Sequence, residues 1–325
     1  MDTFVMPKTE LSKGRLLILG ASSVILCLSF IMTVFAPFPL ALAHILYGRF
    51  LGIITGVAGL VVSFAVAKFL YADLTLFWFY VLVFLFAVGI AEILKKNISP
   101  VKGMVVFGLG FIALFGALSF GYFSSQNTTP KAFVLEQIEL SKDKISEQKK
   151  LMEQSSDKDS FAALQLLDNP EMLATELIRS FPSYFFIGVF LMLWFNMFLS
   201  LKSRRLLLSG HDYPYSERNL LNFKVPFGFV FVLIAGLVIA IWGKDMGIPY
   251  EGLGLTIIKC LGIFYFFQGF GVFSDLLSFL GIAGLFRSLI VMLVILMANY
   301  LIAIAGLFDN WFDFRKYFVK QKIDQ

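Results

Sequence analysis

Lys259 is the residue in this chain that most demands a chemical explanation, because it stands inside the apolar run GLGLTIIKCLGIFYFFQGF at 252–270. An ammonium at hydrocarbon depth costs about 3 kcal/mol on insertion scales unless it meets a counter-charge, a polar cavity or the interface. Glu251 is eight residues earlier, about 12 Å along a helix, which is beyond direct pairing. The other polar residues inside apolar runs are Asn196, Asn299, Gln268, His44 and Asp275. Together they point to an internal polar site that holds a ligand or a counter-charge. Lys259 is its centre, Asn196 and Asn299 are its expected lining, and Gln268 reaches it only from a bent or neighbouring helix. Each asparagine taken alone also fits helix-to-helix hydrogen bonding, and Asp275 fits a helix boundary.

Signals for bond-making chemistry are missing. The chain has no GxxxxGK[ST] phosphate loop and no GxSxG nucleophile elbow. Its two histidines, His44 and His211, have no His, Cys or carboxylate at metal-ligand spacing. No catalytic residue, metal or cofactor is therefore assigned, and the chain reads as a protein that is not an enzyme. Cys27 and Cys260 both fall in apolar runs and read as small buried hydrophobes, not as a disulfide.

The elements that must position these residues are membrane helices. Of the 325 residues 58% are hydrophobic and 15% charged, with 39 Phe, and the mean hydropathy is +0.82, far from a soluble composition. A helix needs roughly 20 apolar residues to cross a hydrocarbon layer of about 30 Å. Runs of that kind lie at 16–35, 50–70, 74–94, 103–123, 184–201, 225–242, 253–273 and 288–306. Two shorter pieces, PFPLALAHILY at 37–47 and SDLLSFLGIAGLF at 274–286, are read as short crossings. The expected fold is all-α, a polytopic membrane helix bundle with about eight long and two short membrane segments and an extramembrane helical insert.

Charge orients the bundle. Lys8, Lys13 and Arg15, then Lys95, Lys96 and Lys102, then Lys202, Arg204 and Arg205 flank the runs, as the positive-inside bias requires. The formal charge of +5 is accounted for in this way, and no nucleic acid is implied. From Lys131 to Arg179 seven basic residues face ten acidic ones, so the insert belongs on the opposite side. The N-terminus is expected in the cytoplasm and the protein in a cell inner membrane. The organisation is then 1–123 N-terminal membrane helices, 124–181 insert, 182–306 C-terminal membrane helices, and 307–325 an interfacial segment. Thr129 before Pro130 and Asn169 before Pro170 are expected helix N-caps. In the last segment Asp309 is expected to cap a helix starting at Asn310, and Lys316 to pair with Asp313 at i,i+3.

Gly48, Gly52, Gly56 and Gly59 share one helical face, and Gly103, Gly108, Gly110 and Gly116 form a second series. Close approach between helices is the simplest use of such a face; docking of a partner membrane protein is the sharper one.

The pieces GLFDNWFDFRK at 306–316 and PFPLALAHILYGRFLGIITG at 37–56 resemble the YybS-like family of predicted bacterial membrane proteins, a domain of unknown function. The proline, short helix and glycine pattern is also distantly similar to the first helices of the substrate-binding components of energy-coupling factor vitamin transporters. That likeness implies a membrane coupling subunit with a separate ATPase, contacted through Gly48, Gly52 and Gly56. Ten segments exceed the six of the typical component, and its vitamin-contacting residues have no counterparts here. A small-molecule-binding membrane component is the leading expectation. The alternative is a non-enzymatic envelope scaffold or assembly factor, presenting the 124–181 insert to another envelope protein. Membrane lipids are partners in either case.

Overall fold

The computed structural model describes residues 12–29, 31–71, 74–141, 169–203, 213–243, 252–297 and 299–320. Among them all regular structure is helical. The order is α1 (Lys13–Leu28), a 3-10 turn (Ile31–Phe35), α2 (Pro37–Val66), a π-turn (Ala67–Tyr71), α3 (Thr75–Lys95), α4 (Pro100–Ser125) and α5 (Pro130–Leu140). There follow α6 (Pro170–Lys202), α7 (Glu217–Leu221), α8 (Phe229–Trp242), α9 (Leu253–Phe279), α10 (Gly284–Met297), α11 (Asn299–Phe312) and α12 (Arg315–Lys320).

Among the described residues five helical stretches are long and apolar enough to cross a membrane: Met32–Phe69, which contains a break at Gly48, Thr75–Lys95, Pro100–Ser125, Pro170–Lys202 and Leu253–Phe279. A sixth crossing exists if Gly284–Ile295 and Asn299–Phe312, bent by 94°, act as one span. The sequence reading of eight long and two short segments differs from this at identifiable places. The run at 16–35 divides because Ser29 Oγ accepts the Met32 N–H and Thr33 Oγ1 donates to the Cys27 carbonyl, local bonds that compete with the helical ladder. The 16 residues of α1 then reach about 24 Å. The run at 225–242 keeps only the 14 residues of α8 in helix. The short piece at 274–286 is no separate segment, since α9 continues through Phe279 before the turn at Gly281, φ +70°.

Caps in the insert stand where the sequence places them. Thr129 Oγ1 accepts the Ala132 N–H and Asn169 Oδ1 the Met172 N–H, at 3.2 and 3.1 Å. The helix starting at Pro170 is, however, one continuous helix of 33 residues to Lys202, about 50 Å long. It passes straight through the boundary at 181/182 expected from composition. Residues 142–168 of the insert and His211 lie outside the described residues.

The chain divides into two compact units. The first comprises Met1–Leu109, Gly188–Phe227 and Gly262–Gln325. In it Val24 and Cys27 of α1, Ala36 just before α2, and Leu76, Tyr80 and Val83 of α3 form a buried cluster, with Leu60 and Val66 of α2 packed against it. Trp194, 1% exposed, stacks on Phe198 and Phe267 at centroid distances of 5.4 and 5.2 Å. Within this unit α9 and α11 meet backbone to backbone: a Cβ on Gly269 would strike the Ile302 carbonyl, and one on Gly306 the Tyr265 carbonyl.

The second unit comprises Gly110–Ile187 and Gly228–Leu261. Here the Phe115 ring of α4 lies tilted against Phe185 of α6 at 4.4 Å, and Phe181 and Phe185 stack at 5.4 Å. A Cβ on Gly254 of α9 would meet the backbone of Ala240 and Gly236 in α8, so small residues again set the closest helix contact.

Candidate functional site

Among the polar constellations of the described residues, three bear on the expected sites. The first surrounds a reversal inside α2. Gly48 has φ 90° and ψ 169°, a conformation open to glycine and strained for other residues. In a straight helix His44 and Gly52 would stand about 12 Å apart; here a Cβ on Gly52 would touch the His44 Cα. The arm 37–47 thus folds back, and Tyr47 Oη donates to the Ser12 carbonyl at 2.9 Å. The last turn of α3 clamps both sides of the break. Arg49 donates twice to the Glu92 carboxylate, each bond 2.7 Å. Lys95 Nζ donates to the His44 carbonyl at 2.7 Å, satisfying one of the acceptors that a helix end leaves open. His44 itself is 2% exposed, its Nε2 3.8 Å from Glu92 Oε1.

The second constellation is built by the C-terminal segment. Asp309 is fully buried in α11 and Asp313 has φ +45°. That left-handed residue ends the helix, and Asp309 Oδ1 accepts the Phe314 N–H at 2.9 Å. Asn310 lies within α11, so Asp309 caps forward across the break and not a helix starting at Asn310. Gln268 Nε2 donates to Asp309 Oδ2 and Asn310 Oδ1, both at 3.1 Å, and Gln268 Oε1 accepts the Val225 N–H at 2.8 Å. Arg315 Nη2 donates to the Gln268 carbonyl at 3.0 Å, while its Nε lies 3.7 Å from Asp309. Outside this core Asp313 pairs with Lys224 at 2.7 Å and with Lys316 at 2.6 Å, the latter being the i,i+3 pair read from the sequence. These two hydrogen bonds hold the Asp313 carboxyl below its ordinary value.

The third constellation is Lys259, in the second unit. Its Nζ lies over the Tyr184 ring, 4.7 Å from the centroid, a cation–π contact. Among the described residues no carboxylate pairs with it and no acceptor takes a hydrogen bond from it. Tyr184 follows Pro182, which sits inside α6 and supplies no N–H for the Ile178 carbonyl. The hydroxyls of Ser180 and Ser183 are used nearby, donating to the Glu176 and Ser180 carbonyls at 2.6 and 2.8 Å.

The four expected ligand residues fall in different units. Lys259 belongs to the second unit and the other three to the first. Asn196 Nδ2 donates to the Val34 and Met192 carbonyls, both at 2.6 Å, so it joins two elements. Gln268 is committed to the C-terminal constellation, and Asn299 is exposed at the start of α11. The Gln268 amide meets partners through both its atoms, while the buried Asn196 Oδ1 accepts no hydrogen bond among the described residues.

The glycines expected to face a partner are also occupied by the chain itself. A Cβ on Gly52 would meet His44, one on Gly56 the Phe84 ring and one on Gly59 the Tyr80 ring; only Gly48 has open space. Sequence reasoning overlooked Glu92, Arg49 and Tyr184, which sit at the ends of apolar runs and look there like ordinary interface residues. It also overlooked Gly269 and Gly306, since their contact joins positions 37 residues apart. Among the described residues no three His, Cys, Asp or Glu side chains stand together to hold a metal. An apolar recess in the first unit, framed by Met104, Phe190, Trp194, Leu220, Phe264 and Phe267, has no polar surface to offer a ligand.

No curated protein and no solved structure matches the chain. A family model described as "Predicted membrane protein (DUF2232)" matches residues 16–310. That stretch contains both the α2 reversal and Lys259. The chain therefore belongs to the DUF2232 family of predicted membrane proteins.

Proposed function

We propose that this multi-pass membrane protein is a non-enzymatic component that binds a small molecule and relies on a separate, ATPase-bearing coupling partner. The observation that carries the reading is Lys259, an ammonium in an apolar helix whose described neighbours supply a π-face and no counter-charge. Such a group is costly to keep unless something charged or wet completes it. The energy-coupling factor likeness of residues 37–56 supports the transport context and the need for a partner. With Gly52 and Gly56 spent on internal packing, a coupling subunit would dock elsewhere. The orientation proposed is an inner-membrane protein with a cytoplasmic N-terminus, supported by the gathering of Ser12, Arg49, Glu92 and Lys95 at one end of α1–α3.

The scaffold reading also has an observation in its favour. Gln268 is committed to structural bonds through both its side-chain atoms, and the Asn196 Nδ2 is committed to two backbone carbonyls. Detergent purification from native membranes, with mass spectrometry of co-eluting proteins and extracted small molecules, separates the two. An ATPase together with a bound small molecule is the expected result. Envelope proteins without any small molecule would replace the binding reading by the scaffold.

A further inference from the structure

The second unit contains more than one cation on the same seam. A Cβ on Gly252, just before α9, would meet the Arg179 side chain of α6, and Lys259 lies over Tyr184 of the same two helices. From the first contact to the second, α9 advances seven residues and α6 five, both toward higher numbers. The helices therefore run parallel here, and Lys259 stands about 8–10 Å deeper than Arg179. Arg179 is at the insert end of the seam, beside Glu176 at 3.4 Å. Lys259 has three N–H donors, and an aromatic face attracts the charge without accepting from them as an oxygen would.

Resting on the small-molecule reading above, we propose that the ligand of Lys259 carries an anionic group, a carboxylate or phosphate, and reaches it along the α6–α9 seam from the insert end. An oxyanion supplies both things the ammonium lacks, a counter-charge and hydrogen-bond acceptors, and charge-assisted bonds of that kind are the strong ones. Lys259 is half-buried and Tyr184 is 61% exposed, so the pair is not sealed within the unit. Arg179, paired with Glu176, lies about 8–10 Å from Lys259 along the seam, so Lys259 is the cation the ligand would meet. The same oxyanion chemistry is offered by a free small molecule and by the headgroup of an anionic phospholipid.

The test compares the full chain with Lys259→Met and Lys259→Arg, each purified from membranes in a mild non-ionic detergent and checked for folding by gel filtration and thermal unfolding. Native mass spectrometry and negative-ion analysis of the extracts then identify what co-purifies. A water-soluble anion near one per chain, retained in Lys259→Arg and at least tenfold depleted in Lys259→Met, is the expected result. A phospholipid depleted in the same pattern, with no soluble molecule, keeps the anion inference and removes the small-molecule reading. A neutral molecule equally abundant in all three does the reverse. On the wild-type protein with ¹³C-dimethylated lysines, the Lys259 resonance, assigned through Lys259→Arg, is titrated with citrate and with inorganic phosphate. Should Lys259→Met fail to fold, this titration decides: a saturable shift supports the inference. Equal anion content in all folded variants, or no saturable shift where Lys259→Met does not fold, overturns it.

Discussion

Asp309 is a carboxylate without exposed surface, facing the Phe314 N–H, the Gln268 amide and the Arg315 guanidinium. Removing it leaves a mostly buried arginine without its counter-charge and two donors without an acceptor. Asp309→Ala should cost about 3–5 kcal/mol, and Asp309→Asn, which keeps one acceptor, about 1–3 kcal/mol. Thermal unfolding in detergent reads both, and equal stability of Asp309→Ala and wild type would refute the role. Asp313 behaves differently, because its lowered value comes first from hydrogen bonds with Lys224 and Lys316 near the surface. A carboxyl with a depressed folded value contributes stability above its unfolded value and loses it as pH falls through the folded one. Asp313→Asn should therefore lower stability in the neutral region by the same modest amount by which it flattens the acid limb, the two curves meeting at low pH, and the amount is small because surface pairs are weak.

At the scale of elements, helix crossings are set by which glycines face a backbone and which face open space. Gly269 and Gly306 close the α9–α11 crossing against carbonyl groups, which cannot rotate away as a side chain can. Gly269→Ala or Gly306→Ala should each lower stability by about 1–3 kcal/mol or more through overpacking. Gly110 has nothing within 4 Å of its Cβ position, and Gly110→Ala should be neutral or slightly stabilising within a helix. Thermal midpoints of the three variants give the answer; similar losses in all would mean that backbone approach is not the cause. The α2 reversal is a second case, since Gly48 adopts φ 90°. Gly48→Ala should destabilise the arm 37–47 although no atom obstructs its methyl group.

For the whole molecule the proposed orientation places α5 and the rest of the insert outside and the basic end of α1–α3 inside. Lys131 is exposed near the start of α5, and Lys202 is exposed at the end of α6. With native cysteines replaced, a membrane-impermeant maleimide applied to intact cells should label Lys131→Cys and not Lys202→Cys. The inverse pattern would reverse the orientation, and with it the side from which Lys259 is approached.

The all-helical membrane class, the caps at Thr129 and Asn169 and the Lys316–Asp313 pair were legible in the sequence. Each depends on hydropathy or on residues within one turn of each other, and local rules carry that information. Lys259 was legible as an anomaly for the same reason, a charge in a run of apolar neighbours. Its partner was not: Tyr184 is 75 positions away, and only the parallel course of α6 and α9 puts its ring beneath the ammonium. Likewise Gly48 was read as one of a face of glycines, while its role as a reversal, the folding back of the arm onto Gly52, and the Glu92 clamp from α3, were decided by tertiary packing. Composition fixes that polar groups at membrane depth must be satisfied, because hydrocarbon gives them nothing. Which group satisfies which is a question of distance in space, and for Asn196, Gln268 and Asp309 it was answered by backbone and side-chain atoms that no spacing along the chain could name.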